Sequence, residues 1–264
     1  GRVYAGAVVF APPAPGAKAT DPVPPPPPLP KGIVIRDSKT MSKAQRERAA
    51  AWVHEHAYAV SVVYKDEAYV DAHNILRAAQ DAMGDAVRGA QAVVAAKAAA
   101  AAATDNPVAG DAAGSHLPGT ESTDTHLPGA DTATESSPPP SPPPPTRIDR
   151  LLVDGHVFAP QPSVGVPALC VVKGDATYFA IACAAIVAKV AHDAYVQALC
   201  DAHPTLDAWY DLRRNVGYGT AKHRQGLATH GATPFHRKTF GGCKGVRAAV
   251  GWEGVATGVE EEAA

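Results

Sequence analysis

The sequence has few cysteines and lacks several motifs that mark common enzyme classes. None of the four cysteines among its 264 residues forms a CxxC pair, so we expect no zinc knuckle. The sequence contains no HExxH, no G-x-S-x-G and no GK[S/T] after a glycine-rich loop. These absences argue against a zincin protease, an α/β-hydrolase and a P-loop nucleotidase. Cys170 and Cys183 lie in apolar stretches and predict buried, reduced thiols, as in an intracellular protein.

Acidic residues are missing from one long stretch. Residues 213–247 contain eight lysines and arginines and no Asp or Glu. Such a stretch favours contact with a polyanion such as nucleic acid, and a solvated basic surface is the alternative. The formal net charge of −2 conceals this asymmetry. Residues 93–146 carry one lysine against six acids, and residues 253–264 carry four acids and no base.

Proline is scarce outside two segments, and this distribution divides the chain. Ten of the 25 prolines lie in residues 12–30 and ten more in 107–145, where regular helix or sheet is excluded. The second segment belongs to a region without aromatic side chains, which we predict to be disordered. The predicted organisation is a first domain part at 1–103 with a Pro-rich loop at 12–30, a low-complexity insertion at 104–146, a second domain part at 147–252, and an acidic tail at 253–264.

Alternating strand and helix patterns predict an α/β fold. Ser42 and Gln45 fit a capping box, which predicts a helix start there. The alanine run 98–103 is too short to cross a membrane and has Lys97 beside it, so we expect no membrane span. The predicted strands cover residues 5–11, 59–64, 151–153 and 168–172, and the predicted helices cover 42–56, 67–103, 178–202 and 221–230.

Two carboxylates, Asp154 and Asp175, each follow a short apolar run at the predicted end of a strand. In α/β sheets, ligand-binding clefts form at such ends. Two carboxylates in one cleft repel each other unless a cation lies between them, and Mg²⁺ and Mn²⁺ prefer oxygen ligands. Two structural interpretations stay open: Asp154 as a turn residue before Gly155, and Asp175 as a helix N-cap.

The 11 histidines show no spacing typical of a metal site. His54 and His56 lie two residues apart, so on a helix they face different sides. We interpret the C-terminal histidines as surface or capping residues: His192, His203, His223, His230 and His236.

Seven short motifs follow one another along the chain. They are Asp37-Ser38-Lys39 before the capped helix, Asn74-Ile75-Leu76, Leu152-Val153-Asp154-Gly155, Lys173-Gly174-Asp175, the segment 186–190 (IVAKV) with Asp193, Gly217-Tyr218-Gly219-Thr220, and His236-Arg237-Lys238-Thr239-Phe240. Together and in this order, they resemble ribonuclease HII. The resemblance covers residues 4–11, 33–92, 148–200 and 213–241. The Pro-rich stretches fall in gaps where the family has short connections.

This resemblance implies an RNase H-like fold, in which helices flank a central mixed β-sheet and the C-terminal part is helical. It implies endonucleolytic cleavage of the RNA strand of RNA–DNA hybrids and of ribonucleotides embedded in duplex DNA. Asp154 and Asp175 match two of the family's four catalytic, metal-binding carboxylates. Tyr218 resembles the tyrosine near the ribonucleotide–deoxyribonucleotide junction, with a core or turn aromatic as the alternative. The matching basic, substrate-binding positions are Arg2, Lys39, Lys173 and Arg237.

The resemblance also implies a cofactor and a reaction course. A divalent metal, Mn²⁺ or Mg²⁺, would support two-metal hydrolysis that leaves 5′-phosphate and 3′-hydroxyl ends. Contacts to the 2′-hydroxyl would distinguish RNA from DNA, and the basic stretch would hold the phosphate backbone. We expect a monomer that binds RNA–DNA hybrid or ribonucleotide-containing duplex. We expect it in the cytoplasm or, in a eukaryote, in a plastid or mitochondrion.

Three departures from the family pattern set the alternatives. The family's D-E-x-G-R-G motif supplies the other two carboxylates, and this chain starts at Gly1-Arg2, just past them. We therefore expect an N-terminally truncated fragment that is inactive without the Asp-Glu pair. Ala185 replaces a serine, and Asn215-Val216 replaces His-Lys before Gly-Tyr. The alternatives are a non-catalytic nucleic-acid-binding remnant and a related nuclease that acts on DNA alone.

Overall fold

The structure, a computed structural model, describes residues 1–10, 27–104 and 147–252. Most of the predicted Pro-rich loop, nearly all of the predicted insertion and the predicted acidic tail lie outside the described residues. These three predictions therefore stay predictions.

Strands and helices alternate along the described chain, which confirms the predicted α/β class. The predicted capping box is present, since Ser42 Oγ accepts from the Gln45 N–H and Gln45 Oε1 accepts from the Ser42 N–H. The elements are β1 (Val3–Val9), a 3₁₀ turn (Ser38–Thr40), α1 (Lys43–His56), β2 (Ala59–Lys65), α2 (Glu67–His73), α3 (Ile75–Thr104), β3 (Leu151–Asp154), α4 (Gln161–Val164), β4 (Ala168–Val171), α5 (Gly174–Thr177), α6 (Phe179–Ala202), α7 (Pro204–Tyr210), α8 (Leu212–Asn215) and α9 (Ala221–His230).

The described strands form two pairs, whereas we expected a single central sheet. β1 and β2 are antiparallel, with Val3 opposite Lys65. β3 and β4 are parallel, with Asp154 opposite Val171. Helix α6 contacts both pairs, through β1 and through β3, and so joins them into one body.

Helix α3 covers the β1–β2 pair with a stripe of small side chains. Ala78, Ala82, Ala86 and Ala90 recur every fourth residue and are almost fully buried, so the helix backbone can approach the strands closely. We predicted one helix over 67–103, but Asn74 at φ 68° separates α2 from α3. Its side-chain oxygen accepts from the Arg77 N–H at 3.0 Å and caps the new helix.

Helix α6 is the central element of the fold. It is long and apolar enough to cross a membrane by length and composition alone, whereas the sequence prediction of no membrane span considered only the alanine run 98–103. Here it packs against β1, with Ile186 fully buried. A Cβ added at Gly6 of β1 would lie 2.6 Å from the Ala184 carbonyl oxygen, which shows how closely strand and helix approach.

The C-terminal part is helical, as expected, although α7 and α8 were not predicted. Their short length and the intervening Asp211, in the left-handed conformation at φ 57°, hide them from periodicity. Helices α7 and α9 cross at Gly226, where an added Cβ would lie 2.2 Å from the Trp209 carbonyl oxygen. Buried Tyr210 and Leu206 belong to the core beneath this crossing.

Candidate active site

The two predicted carboxylates lie at the same edge of the parallel strand pair. Asp154 is the last residue of β3, and Asp175 lies in the first turn of α5, just after β4. Asp154 Oδ1 accepts a hydrogen bond from the Gly174 N–H at 2.8 Å, which holds the two strand ends together. Asp154 is exposed, whereas Asp175 is 7% exposed. The edge therefore presents two carboxylates from neighbouring strands, as the strand pattern predicted.

The structure does not favour the two structural interpretations of these residues. The N-cap of α5 is Lys173 and that of α6 is Tyr178, so Asp175 caps neither helix. Asp154 bonds across the strand ends to Gly174. Neither carboxylate position is explained by a local turn or cap alone.

Lys39 lies against this carboxylate pair. Its ammonium group is 3.3 Å from Asp175 Oδ2 and 3.9 Å from Asp37 Oδ1. The backbone holds it there, because Asp37 caps the 3₁₀ turn by accepting from the Lys39 N–H. Burial acts to lower the pKa of Lys39, but the charges of Asp175, Asp37 and Asp154 raise it overall. A positive charge thus occupies the position where two carboxylates converge.

Lys173, the second predicted basic residue at this edge, has an unusual backbone. It adopts the left-handed conformation at φ 54° and is exposed. Side chains with a Cβ adopt this region at a cost of about 1 kcal/mol. Such strain is common where a loop must present a side chain or a backbone N–H group to a ligand.

The structure places Arg2 and Arg237 together, in contact with the protein itself. Arg237 donates through Nε to the Gly1 carbonyl at 2.6 Å and through Nη2 to the Arg2 carbonyl at 3.0 Å. The Arg2 guanidinium lies about 4 Å from the ring centroids of Tyr64 and Tyr195. Burial lowers the pKa of Arg237. Both guanidinium groups are held by internal contacts in this structure, and their substrate role stays a prediction.

Tyr218 is exposed, which rules out the core-aromatic interpretation. Tyr218 has 59% of its surface exposed. Lys189 Nζ lies 5.2 Å from the centroid of the Tyr218 ring. The Tyr218 N–H donates to the Asn215 carbonyl at 2.8 Å, and Gly217 before it has φ 85°. This loop holds an aromatic face open to solvent beside a cation, as stacking on a base or sugar requires.

Two histidines correct the interpretation of the C-terminal histidines as surface or capping residues. His223 and His236 are 6% and 8% exposed, and their Nε2 atoms lie 3.2 Å apart. Burial is the first cause that lowers both pKa values, to about 4 for His236. The sequence carried no signal for this pair, because 13 residues and an irregular segment separate the two rings.

Two further aspartates organise the surroundings, and neither was predicted as a site residue. Asp71 accepts from the backbone N–H groups of Lys238 and Thr239, both at 2.8 Å. Asp193 accepts from Lys189 at 2.7 Å and from Arg46 at 3.2 Å. Burial acts to raise the pKa of Asp193, but hydrogen bonds from His192 and Lys189 lower it to about 2. Asp193 was part of a motif, but its role as an anchor between α1 and α6 becomes clear only in three dimensions.

The carboxylate edge suits a hard divalent cation in its chemistry. Asp154 and Asp175 offer oxygen ligands, which Mg²⁺ and Mn²⁺ prefer. Among residues 1–10, 27–104 and 147–252, no third His, Cys, Asp or Glu joins them to form a cluster that could hold a metal ion. The edge thus offers two oxygen-ligand side chains, and their metal-binding role stays a prediction.

Comparison with known proteins assigns the chain to a family. The family described as Ribonuclease HII matches residues 155–243. A protein named Ribonuclease HII from Salinibacter ruber is 32% identical over 212 residues, which cover 78% of this chain and 74% of that protein. The chain belongs to the ribonuclease HII family. Its fold class is consistent with the RNase H-like fold of that family.

Two other ribonuclease HII relatives are matched over a smaller share of their own length. The protein from Parabacteroides distasonis is 46% identical over 94 residues, 36% of this chain and 44% of that relative. The protein from Shouchella clausii is 29% identical over 206 residues, 78% of this chain and 56% of that relative. The chain thus spans 44% and 56% of the lengths of these two relatives.

Proposed function

We propose that this ribonuclease HII homologue cleaves the RNA strand of RNA–DNA hybrids and ribonucleotides embedded in duplex DNA. The observation that carries the proposal is the convergence of Asp154, Asp175 and Lys39 at one strand edge. The acid-free basic stretch 213–247 supports it, because a surface of this charge favours a polyanionic duplex and makes its binding salt-dependent.

In this proposal Asp154 and Asp175 would hold divalent metal, Mn²⁺ or Mg²⁺. Two such ions would activate a water for in-line attack and stabilise the leaving 3′-oxygen, giving 5′-phosphate and 3′-hydroxyl products. Lys39 and Lys173 would bind phosphate oxygens beside the carboxylates. Tyr218 would pack against the sugar at the ribonucleotide junction, with Lys189 beside its ring.

We also propose that a polypeptide starting at Gly1 is inactive. It offers two of the four carboxylates that the family pattern requires, and no third metal-binding side chain joins them in the described residues. Extending the polypeptide by a D-E-containing segment before Gly1 should create Mn²⁺- or Mg²⁺-dependent cleavage.

The test incubates both polypeptides with a duplex that contains one ribonucleotide. The extended form should cut at the ribonucleotide, and the form starting at Gly1 should not. Asp154→Asn and Asp175→Asn in the extended form are the matched controls, since they keep the shape but remove the charge. Cleavage by the polypeptide that starts at Gly1 would contradict its proposed inactivity.

A non-catalytic nucleic-acid-binding role is the second candidate. The incomplete carboxylate set favours it. In that case, both polypeptides would bind the ribonucleotide-containing duplex and neither would cut it. An all-DNA duplex in the same assay distinguishes the proposed ribonuclease from a nuclease that acts on DNA alone, because the DNA nuclease would cut both duplexes.

We further propose an intracellular monomer with no membrane association. The described cysteines are free, and Cys183 and Cys200 are buried, as expected of reduced thiols. Size-exclusion chromatography with light scattering should give the mass of one chain, and a dimer mass would contradict this proposal.

A further inference from the structure

His223 and His236 form a chain of hydrogen bonds between Thr233 and Tyr218, here called the histidine relay. The groups at its two ends determine which ring nitrogens carry the protons. The Thr233 N–H donates to His236 Nδ1 at 3.1 Å, so that nitrogen is an acceptor and the ring proton lies on Nε2. His236 Nε2–H then donates to His223 Nε2 at 3.2 Å. His223 must therefore carry its proton on Nδ1, which donates to the Tyr218 carbonyl at 3.1 Å. The chain of donors runs in one direction, from Thr233 to Tyr218.

The surroundings keep both rings neutral. Tyr210 of α7 packs edge-on against His236, with 4.8 Å between the ring centroids. The centroid of the Tyr210 ring lies 5.8 Å from that of His223. The Tyr210 hydroxyl donates to the Gly231 carbonyl, so it contributes no charge. Burial is the largest cause that lowers the pKa of both rings. The charge of the Gly1 amine lowers both further, and that of His223 lowers the pKa of His236. If His223 gained a second proton, both Nε2 atoms would carry a hydrogen, and two donors would face each other across this contact.

One end of the relay is anchored to the body of the protein. Next to His236, Arg237 donates to the carbonyls of Gly1 and Arg2. Two residues further on, Thr239 donates to Asp71 of α2 through its N–H and its hydroxyl. The segment 236–239 is therefore tied both to the two residues that precede β1 and to α2.

The other end of the relay is the loop that presents Tyr218. Val216 and Gly217 in this loop have φ 44° and 85°, a left-handed pair that the chain adopts only when other contacts determine it. The Tyr218 carbonyl accepts from both Thr220 N–H and His223 Nδ1. The ring of Tyr218 itself is exposed, so its position depends on these backbone contacts.

We propose that His223 and His236 are positioning residues that fix Tyr218 relative to the body of the protein, so that Tyr218 can distinguish a ribonucleotide-containing duplex from DNA. This proposal rests on the proposed function for its substrate. The histidines touch neither the duplex nor metal; they act through the Tyr218 carbonyl.

The test measures binding by fluorescence anisotropy, which needs no cleavage. The full chain is titrated with a duplex that contains one ribonucleotide and with the all-DNA duplex of the same sequence. The ratio of the two Kd values is the preference. His223→Phe should reduce the preference about tenfold, the size of one well-formed hydrogen-bonded contact, with little change in all-DNA binding. Tyr218→Ala should reduce it similarly, and the double variant should lose no more.

Two further variants separate positioning from loss of folding. His223→Gln keeps one donor and one acceptor on the side chain and should restore most of the preference. His230→Phe, on the same helix, keeps the ring that stacks on Trp209 and should leave the preference unchanged. Hydrogen exchange of residues 215–220 should be faster in His223→Phe than in the parent protein, while helix α6 stays protected.

The pH profile supplies an independent readout. The parent preference should stay constant from pH 7.5 to about 5.5, because burial lowers the pKa of both histidines below the ordinary value. A loss of preference centred near pH 6.5, where a solvent-exposed histidine titrates, would contradict a buried relay.

The outcomes distinguish the two proposals. If the parent chain binds both duplexes equally, there is no preference for the histidines to support, and the positioning proposal fails; the proposed function fails only if the extended polypeptide does not cut at the ribonucleotide. If the parent chain prefers the ribonucleotide and Tyr218→Ala removes that preference, but His223→Phe does not, the relay proposal alone is overturned. Unchanged hydrogen exchange in the 215–220 loop of a folded His223→Phe variant overturns it as well.

Discussion

The carboxylate edge and the histidine relay handle polar groups in opposite ways. At the edge, exposed Asp154 and nearly buried Asp175 face Lys39, whose side chain is 71% exposed. In the relay, His223 and His236 are neutral, buried and hydrogen-bonded at both ring nitrogens. Charges held at a surface are ready for an external cation or phosphate, whereas a satisfied buried network fixes one conformation. The first region thus leaves charged groups open to solvent, whereas the second satisfies its polar groups within the protein.

The largest effect should follow from breaking the helix crossing beneath the relay. Gly226→Ala would place a Cβ 2.2 Å from the Trp209 carbonyl oxygen and 2.8 Å from Tyr210 Cδ1. Helix α9 would have to move away from α7, and we expect a loss of about 3 kcal/mol in the free energy of unfolding. Urea denaturation measures it.

Gly219→Ala is the matched control, since nothing lies within 4 Å of the Cβ it would add. It should change stability by less than about 0.5 kcal/mol. Equal losses in the two variants would mean that the close crossing of α7 and α9 does not exist in solution.

The next effect concerns the pH dependence of stability. The folded-state pKa of His236 is about 4, below the ordinary 6.5, so the unfolded chain binds more protons between these values. The contribution of His236 is therefore fully present above pH 6.5 and is lost as the pH falls towards 4. We expect the free energy of unfolding to fall by roughly 2 kcal/mol between pH 6.5 and 5 from this residue.

His223→Gln isolates the contribution of the pair, since glutamine does not titrate. The pKa of His223 is lowered, like that of His236. The free energy of unfolding of the variant should therefore fall less steeply than that of the parent over the same pH window. Urea denaturation at pH 7.5, 6.5, 5.5 and 5.0 provides the comparison. Parallel curves for parent and variant would contradict the buried, neutral state of His223.

Local pattern was enough to predict one region and not the other. Asp154 and Asp175 could be predicted because each ends an apolar run, and parallel strands bring such ends together. The resemblance then gave them a role. Helix α1 could also be predicted, from its capping box, and helix α9 from Gly231 after its last turn.

The relay could not be predicted because it consists of long-range contacts. His223 and His236 meet only after α9 reverses at Gly231, and Asp71 reaches Thr239 across 168 residues. No periodicity encodes such contacts. The division of 67–103 at Asn74 and the short helices α7 and α8 were missed for a related reason, since single left-handed residues interrupt the chain there.

A smaller effect should come from metal binding at the edge. Mn²⁺ at ten times its dissociation constant should stabilise the folded chain by about 1.4 kcal/mol through binding linkage. Thermal unfolding with and without Mn²⁺ measures the shift. Asp154→Asn combined with Asp175→Asn should abolish it, whereas Asp149→Asn, which removes an exposed carboxylate paired with Arg147, should not. A persistent shift in the double variant would place the ion elsewhere.

The smallest effect tests whether backbone strain or the histidine relay determines the conformation of the loop that carries Tyr218. Val216 has φ 44°, a conformation that β-branched side chains strongly disfavour, although its side chain packs against the C-terminal core. Val216→Asn relieves the strain and loses part of that packing, so we expect a net gain of about 0.5 kcal/mol in unfolding free energy. Val157→Asn, at an exposed valine without positive φ, should give no gain. If Val216→Asn keeps the duplex preference, hydrogen bonds rather than strain hold Tyr218. If the preference falls while stability rises, the strained backbone shares that role with the histidines.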